Sequence, residues 1–209
     1  MNRQELMDLV AGGERPGVEF KNARAYTDSN FWEVAKAVLA MANHRDGGMV
    51  LVGVLDDGTV TGLSAPQVEG WRNVDAVRQA LGPFADPFVY VDIDVVDVAT
   101  AANAAIFCAV IVIKEFDQVP VLLARSITIQ GRVVLTQGAC LIRSRQLPAT
   151  TQIADHAAFR ELLDIAIDKG VRVFLRRARQ AGLALGAEPV AVDDHALFLA
   201  ERENAFDDE

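Results

Sequence analysis

The chain has 209 residues, 51% of them hydrophobic and 23% charged, which suits one soluble globular domain with an appendage and leaves ample chain for a core. Its two cysteines, Cys108 and Cys140, are too few and too far apart for a disulfide framework or a zinc cluster, and read as buried small apolar residues. The net charge of −9 argues against phosphate contact, which needs Lys and Arg.

Residues 1–8 contain no apolar run of the signal-peptide kind. The longest apolar stretch, residues 98–113, is interrupted by Thr100 and Asn103 and falls short of a membrane-spanning helix. A cytoplasmic protein with no membrane contact is therefore expected. Residues 2–10 read as a short helix with Gly12-Gly13 as its exit. Glu14 follows in a Glu-Arg-Pro-Gly turn, and residues 18–21 form a strand with Val18 and Phe20 on one face and Glu19 and Lys21 on the other.

Residues 22–30 are a polar loop, and Asn30 with Glu33 has the look of a helix cap. Phe31–Ala42 is apolar nearly all round, with Glu33 and Lys36 its only charges. Such a helix is buried against a sheet or a second subunit, and the second possibility suggests a homodimer. Asn43 and the Gly47-Gly48 pair mark its exit, residues 49–54 read as a strand buried on both faces, and Asp57-Gly58 reads as a two-residue hairpin turn.

Residues 66–81 show helical spacing of Val68, Trp71, Val74, Val77 and Leu81, stopped by Gly82-Pro83. Residues 88–98 alternate as a half-exposed strand, with Tyr90, Asp92 and Asp94 outward, and residues 106–113 make a buried partner for it. Residues 127–135 read as strand, turn, strand, and residues 139–144 as the strand that closes the sheet. After Pro148 the pattern turns helical: residues 155–169 with Gly170 as an exit, then residues 171–183 carrying Arg172, Arg176 and Arg179 at steps of four and three.

Residues 184–209 hold eight acids and one base, so the rest of the chain carries only −2. A nearly neutral body with an acidic tail is compatible with nucleic-acid binding in a way that uniform acidity is not. The tail itself is a candidate site for a protein partner.

Glu-Phe-Lys at residues 19–21, the helix ending Ala42-Asn43, Gly47-Gly48, Gly53-Val54 and Asp57-Gly58-Thr59-Val60-Thr61-Gly62 together resemble the Schlafen-type Alba-like domain, a family described as DNA-binding. The likeness is dense over residues 14–63 and thinner to about residue 151, and Arg143 matches an arginine of the family's closing segment. It implies an α+β fold, with a mixed sheet of about six strands, packed helices and a C-terminal helical segment. The expected divisions are residues 1–151, a helical extension 152–183 and the tail 184–209.

Two functions follow from the resemblance. One is a nucleic-acid-binding module for DNA or RNA that contacts mainly backbone; the residues read as its candidate contacts, from their charge and spacing, are Lys21, Arg143, Arg145, Arg172, Arg176 and Arg179. The other is a metal-dependent endoribonuclease, as in some vertebrate Schlafen proteins. Glu14, Glu19, Lys21 and Asp57 would then be catalytic, and Glu14, Glu19, Asp56 and Asp57 would hold Mg²⁺ or Mn²⁺, hard ions that take oxygen ligands and activate water. A third possibility is a non-catalytic assembly or regulatory domain. From the residues alone Glu19 and Lys21 also read as an ion pair, and Asp57 as spent on its turn. No glycine-rich loop ending in Gly-Lys-Ser/Thr is present, which argues against a P-loop ATPase.

Overall fold

A computed structural model describes residues 1–98, 106–144 and 149–183; Arg145 and the acidic tail lie outside them. The chain forms two compact units, Met1–Lys169 and Gly170–Glu209. The first is α+β. It opens with α1 (Arg3–Ala11), whose start is fixed by a reciprocal cap: the Glu5 amide donates to Asn2 Oδ1 at 2.9 Å and the Asn2 amide to Glu5 Oε2 at 2.8 Å.

The main sheet of the first unit has the order β1 (Val18–Lys21), β2 (Gly48–Val52), β5 (Phe107–Ile113), β4 (Val91–Asp97), with β1 parallel to β2 and the other pairs antiparallel. Both faces are covered. Val18, Phe20, Leu51 and Val110 join Leu6 and Val10 of α1, while Val50, Val52, Ala109 and Ile111 join α2 (Phe31–Ala42). That two-sided burial is why residues 49–54 read as a continuous apolar run.

α2 buries nine of its twelve residues within this unit. At about 1.5–3 kcal/mol for each large apolar side chain buried, packing outweighs any cap, and Asn30 makes none. Glu33 instead pairs with Arg24 at 2.7 Å. The sheet and neighbouring helices account for the apolar surface of α2, so that surface gives no reason for a second copy. The chain leaves α2 through Asp46 and Gly47, both with positive φ (67° and 74°). A Cβ on Gly47 would lie 2.1 Å from the Ile113 carbonyl oxygen, so the turn requires glycine.

Several sequence expectations are corrected. Residues 66–81 form two helices, α3 (Ala65–Arg72) and α4 (Val74–Leu81), because Asn73 leaves helical geometry and caps the second with its side chain on the Ala76 amide at 3.1 Å. The hairpin after β2 turns on Asp56-Asp57: the Gly58 amide donates to Leu55 O at 2.9 Å and Gly58 takes the left-handed position, φ 84°. The main sheet has four strands among the described residues. The remaining strands pair in twos: β3 (Ala85–Asp86) with β6 (Leu122–Leu123), β7 (Ile127–Ile129) with β8 (Arg132–Leu135), and β9 (Leu141–Arg143) with β10 (Thr150–Gln152). A tight turn at Gln130-Gly131, both with positive φ, lets β7 and β8 pair locally at small entropic cost.

Gly170 does not end a helix. α5 (His156–Gln180) continues through it, and the true exit is Gly182. There the Leu183 amide returns to Ala178 O and the Gly182 amide to Arg179 O, the paired bonds of a glycine helix stop. Within the first unit α5 buries Leu162 and Ile165. In the second unit the described part of α5 presents exposed Val171 and Phe174 and buries Ala178.

Candidate nucleic-acid interface

Glu19 sits on the edge strand β1, on the face that looks toward α2, and is 4% exposed. A carboxylate there must be paired to remain charged. The pairing comes from both sides. Lys21 donates from its ammonium to Glu19 Oε1, and Arg143 on β9 donates from Nη1 to Glu19 Oε2. Thr150 on β10 stands directly opposite Arg143 in the ladder, and its hydroxyl donates to Glu19 Oε2 at 2.9 Å.

The Arg143 guanidinium makes three further bonds. Nη1 also donates to Thr150 Oγ1 at 3.2 Å, Nε to Pro16 O at 3.2 Å and Nη2 to Arg15 O at 3.3 Å. Its side chain has no exposed surface. Arg143 thus joins β9 to the turn before β1 and to Glu19, and faces away from any phosphate in solvent. Lys21 also donates to the Phe20 carbonyl at 3.0 Å and keeps its ammonium beside Glu19. Arg143 is withdrawn from the expected phosphate track by burial and its carboxylate, while Lys21 is part-buried and spends its ammonium on the same carboxylate.

The carboxylates expected to hold a metal ion are spent separately. Glu14 Oε1 accepts the Phe20 amide at 2.7 Å and so satisfies the outer edge of β1. Asp57 accepts the Thr59 amide at 2.8 Å, and that bond holds its carboxyl below the usual carboxylate range although the group is fully exposed. Asp56 is exposed beside it in a shallow depression with Asn22. Among the described residues no group of three or more His, Cys, Asp or Glu side chains could hold a metal ion. The donor set required for Mg²⁺ or Mn²⁺ is therefore not assembled from Glu14, Glu19, Asp56 and Asp57, and these residues do not fit the ion.

Sequence reasoning assigned Asn43 to its helix end. The side chain does more: Nδ2 donates to Val121 O at 2.7 Å and Leu141 O at 2.9 Å, and Oδ1 accepts the Val121 amide at 2.8 Å. The amide is buried and ties α2 to the segments before β6 and at β9. Nothing local in the sequence signals partners that lie about eighty and a hundred positions away. Thr150 went unnoticed for the same reason. Cys108 is buried as expected and Cys140 only partly so, and burial raises the two thiols to about 11 each.

Arg172, Arg176 and Arg179 differ in every respect from Arg143. All three are exposed on the C-terminal part of α5, at spacings that put them on one face. None is in an ion pair among the described residues. Arg177 adds a fourth exposed guanidinium to the same turns. Arg145 lies outside the described residues.

No curated protein matches the chain. Among solved structures, the DIP2311 protein from Corynebacterium diphtheriae is similar at 15% identity with a TM-score of 0.43, over 72% of this chain and 26% of its own length. This chain thus spans about a quarter of that protein. The family model for the Schlafen AlbA_2 domain matches residues 14–145, the stretch that holds the main sheet, α2 and the Glu19–Arg143 network. No helix among the described residues is long and apolar enough to cross a membrane. The chain belongs to the Schlafen AlbA_2 family, and its domain is accordingly a nucleic-acid-related one.

Proposed function

We propose that the protein binds DNA or RNA through the phosphate backbone, with little sequence specificity, using the arginine row of α5. The observation that carries this reading is Arg172, Arg176 and Arg179, exposed, on one helix face and without acidic partners among the described residues. Guanidinium groups so arranged meet successive phosphates as planar donors. Backbone contacts fix register and orientation without reading bases, which is why low specificity goes with this surface.

The charge of −9 is not an obstacle of the size it first presents. Most of it resides in residues 184–209, and local potential at a cluster of cations governs phosphate contact more than net charge does. Family membership supports the nucleic-acid reading in general and says nothing of the mode. The test is binding of labelled DNA and RNA to the full chain and to R172A/R176A/R179A at low salt. Loss of most affinity for both polymers is the expected result. Undiminished binding by the triple variant contradicts the assignment.

A further inference from the structure

Beyond the arginine row, the described surface carries a second feature suited to nucleic acid, at the end of the β4–β5 ladder. Phe88 and Tyr90 are among the most exposed aromatic side chains of the first unit, at 44% and 61%. Their rings meet edge to face, 5.5 Å between centroids at 83°. The intervening Val89 is buried, so both rings are held on the outer side of an extended segment. They line a groove of about 530 Å³ together with Lys114, Phe116 and Asp117.

The groove is a fixed one. The Lys114 amide donates to Tyr90 O at 3.4 Å, and the Phe116 amide to Ala42 O at 2.9 Å. Phe116 is buried and forms the floor, with the Lys169 ammonium 5.4 Å from its ring centroid. Lys169 also pairs with Glu115 at 3.0 Å and cancels that charge. Two charges are left over: Lys114 and Asp117 are exposed and make no ion pair among the described residues.

The geometry points to a site for the unstacked bases of a single strand of nucleic acid, stacked on Tyr90 and Phe88 with the adjoining phosphate on Lys114. This inference rests on the nucleic-acid reading above and adds the surface and the strand state. Each feature has a part in it. Exposed aromatic faces attract bases of any sequence, because every base has a π-face. Lys114 supplies one compact positive charge for a phosphate. Asp117 repels phosphate at its side of the groove and can accept from the exocyclic amine of adenine, guanine or cytosine. A duplex hides the faces of its bases and cannot use the rings.

The test compares three labelled probes at one low salt concentration: a short single strand, the matching duplex, and an abasic deoxyribose-phosphate strand of the same length. The wild-type chain should bind the base-bearing strand about tenfold more tightly than the abasic one, the scale of one stacked base. Phe88→Ala/Tyr90→Ala should bring that ratio close to one while leaving the duplex affinity unchanged, and Tyr90→Ala alone should lower it several-fold; Tyr90→Trp should restore it. Because Tyr90 is mostly exposed, the unfolding midpoint of Tyr90→Ala should match the wild type. Lys114→Gln should weaken the single strand without altering the preference for bases.

A base preference that survives Phe88→Ala/Tyr90→Ala, or that is as large in Tyr90→Ala as in the wild type, overturns the inference. So does a change of oligomeric state in Tyr90→Ala, which would make the groove a protein contact. R172A/R176A/R179A should weaken all three probes alike. If it does so while the base preference proves insensitive to Tyr90, the backbone reading stands and this one fails. If the wild type binds none of the probes, both fail.

Discussion

Arg143 and the row Arg172, Arg176 and Arg179 are the same residue type in opposite circumstances. Arg143 has no exposed surface and bonds Glu19, Thr150 and two backbone carbonyls. The α5 arginines are exposed and unpaired among the described residues. A guanidinium is always charged, so what differs is the partner each one has. Inside, the partner must come from the protein, and the side chain becomes a strut. Outside, water fills the place until an anion arrives, and the side chain is available for binding. Stability should therefore depend on the first arginine and hardly on the others, and nucleic-acid affinity the reverse.

The largest effect should come from breaking the closed region. Glu19→Ala leaves the Arg143 guanidinium buried without its carboxylate, at a cost of about 3–5 kcal/mol, read by urea denaturation. The double variant Glu19→Leu/Arg143→Met should recover most of that loss, since replacing a buried pair by apolar groups is often close to neutral. A double variant as unstable as Glu19→Ala would show that the charge pair itself holds β9 to β1.

A smaller loss, about 1–3 kcal/mol for buried groups left unsatisfied, is expected for Asn43→Ala, which strands the Val121 amide and the carbonyls of Val121 and Leu141. The same denaturation curves read it. If Asn43→Ala also abolished nucleic-acid binding at temperatures where it is folded, the division between strut and binder would be too sharp.

The smallest effect near neutral pH should be chemical. With thiols raised to about 11, Cys108 and Cys140 should resist alkylation in the folded state and react on unfolding. Both values lie above the ordinary thiol value of 9.0, so this contribution to stability is full below pH 9. It is lost as pH rises from there through about 11. Rapid labelling of the native protein at pH 8 would contradict their placement.

Much of the fold was legible because it rests on local pattern. The apolar run of residues 49–54, the all-apolar α2 and the helical spacing in residues 66–81 each pointed to what surrounds them. Where the reading failed, a single residue or a distant contact decided the outcome. Asn73 splits one helix into two, and Gly170 is tolerated inside α5 while Gly182 stops it. In the site, Glu19 and Lys21 could be placed on one strand face from alternation alone. That Arg143 and Thr150 close over Glu19 depends on a ladder between β9 and β10, well over a hundred residues from β1, and no spacing encodes it. The carboxylates at Glu14, Glu19 and Asp57 looked alike in sequence because each role, edge acceptor, buried counter-ion and turn acceptor, asks for the same chemical group.

If the α5 arginines meet the phosphates, the salt dependence of binding to a single labelled strand should differ between the wild-type chain and R172A/R176A/R179A. Each phosphate neutralised on a single strand contributes about 0.7 to the slope of log affinity against log salt. The triple variant should lose about two units of slope, the equivalent of three phosphates, with an unchanged unfolding midpoint. An unaltered slope in a folded triple variant would place the phosphate contacts elsewhere and contradict the assignment to α5.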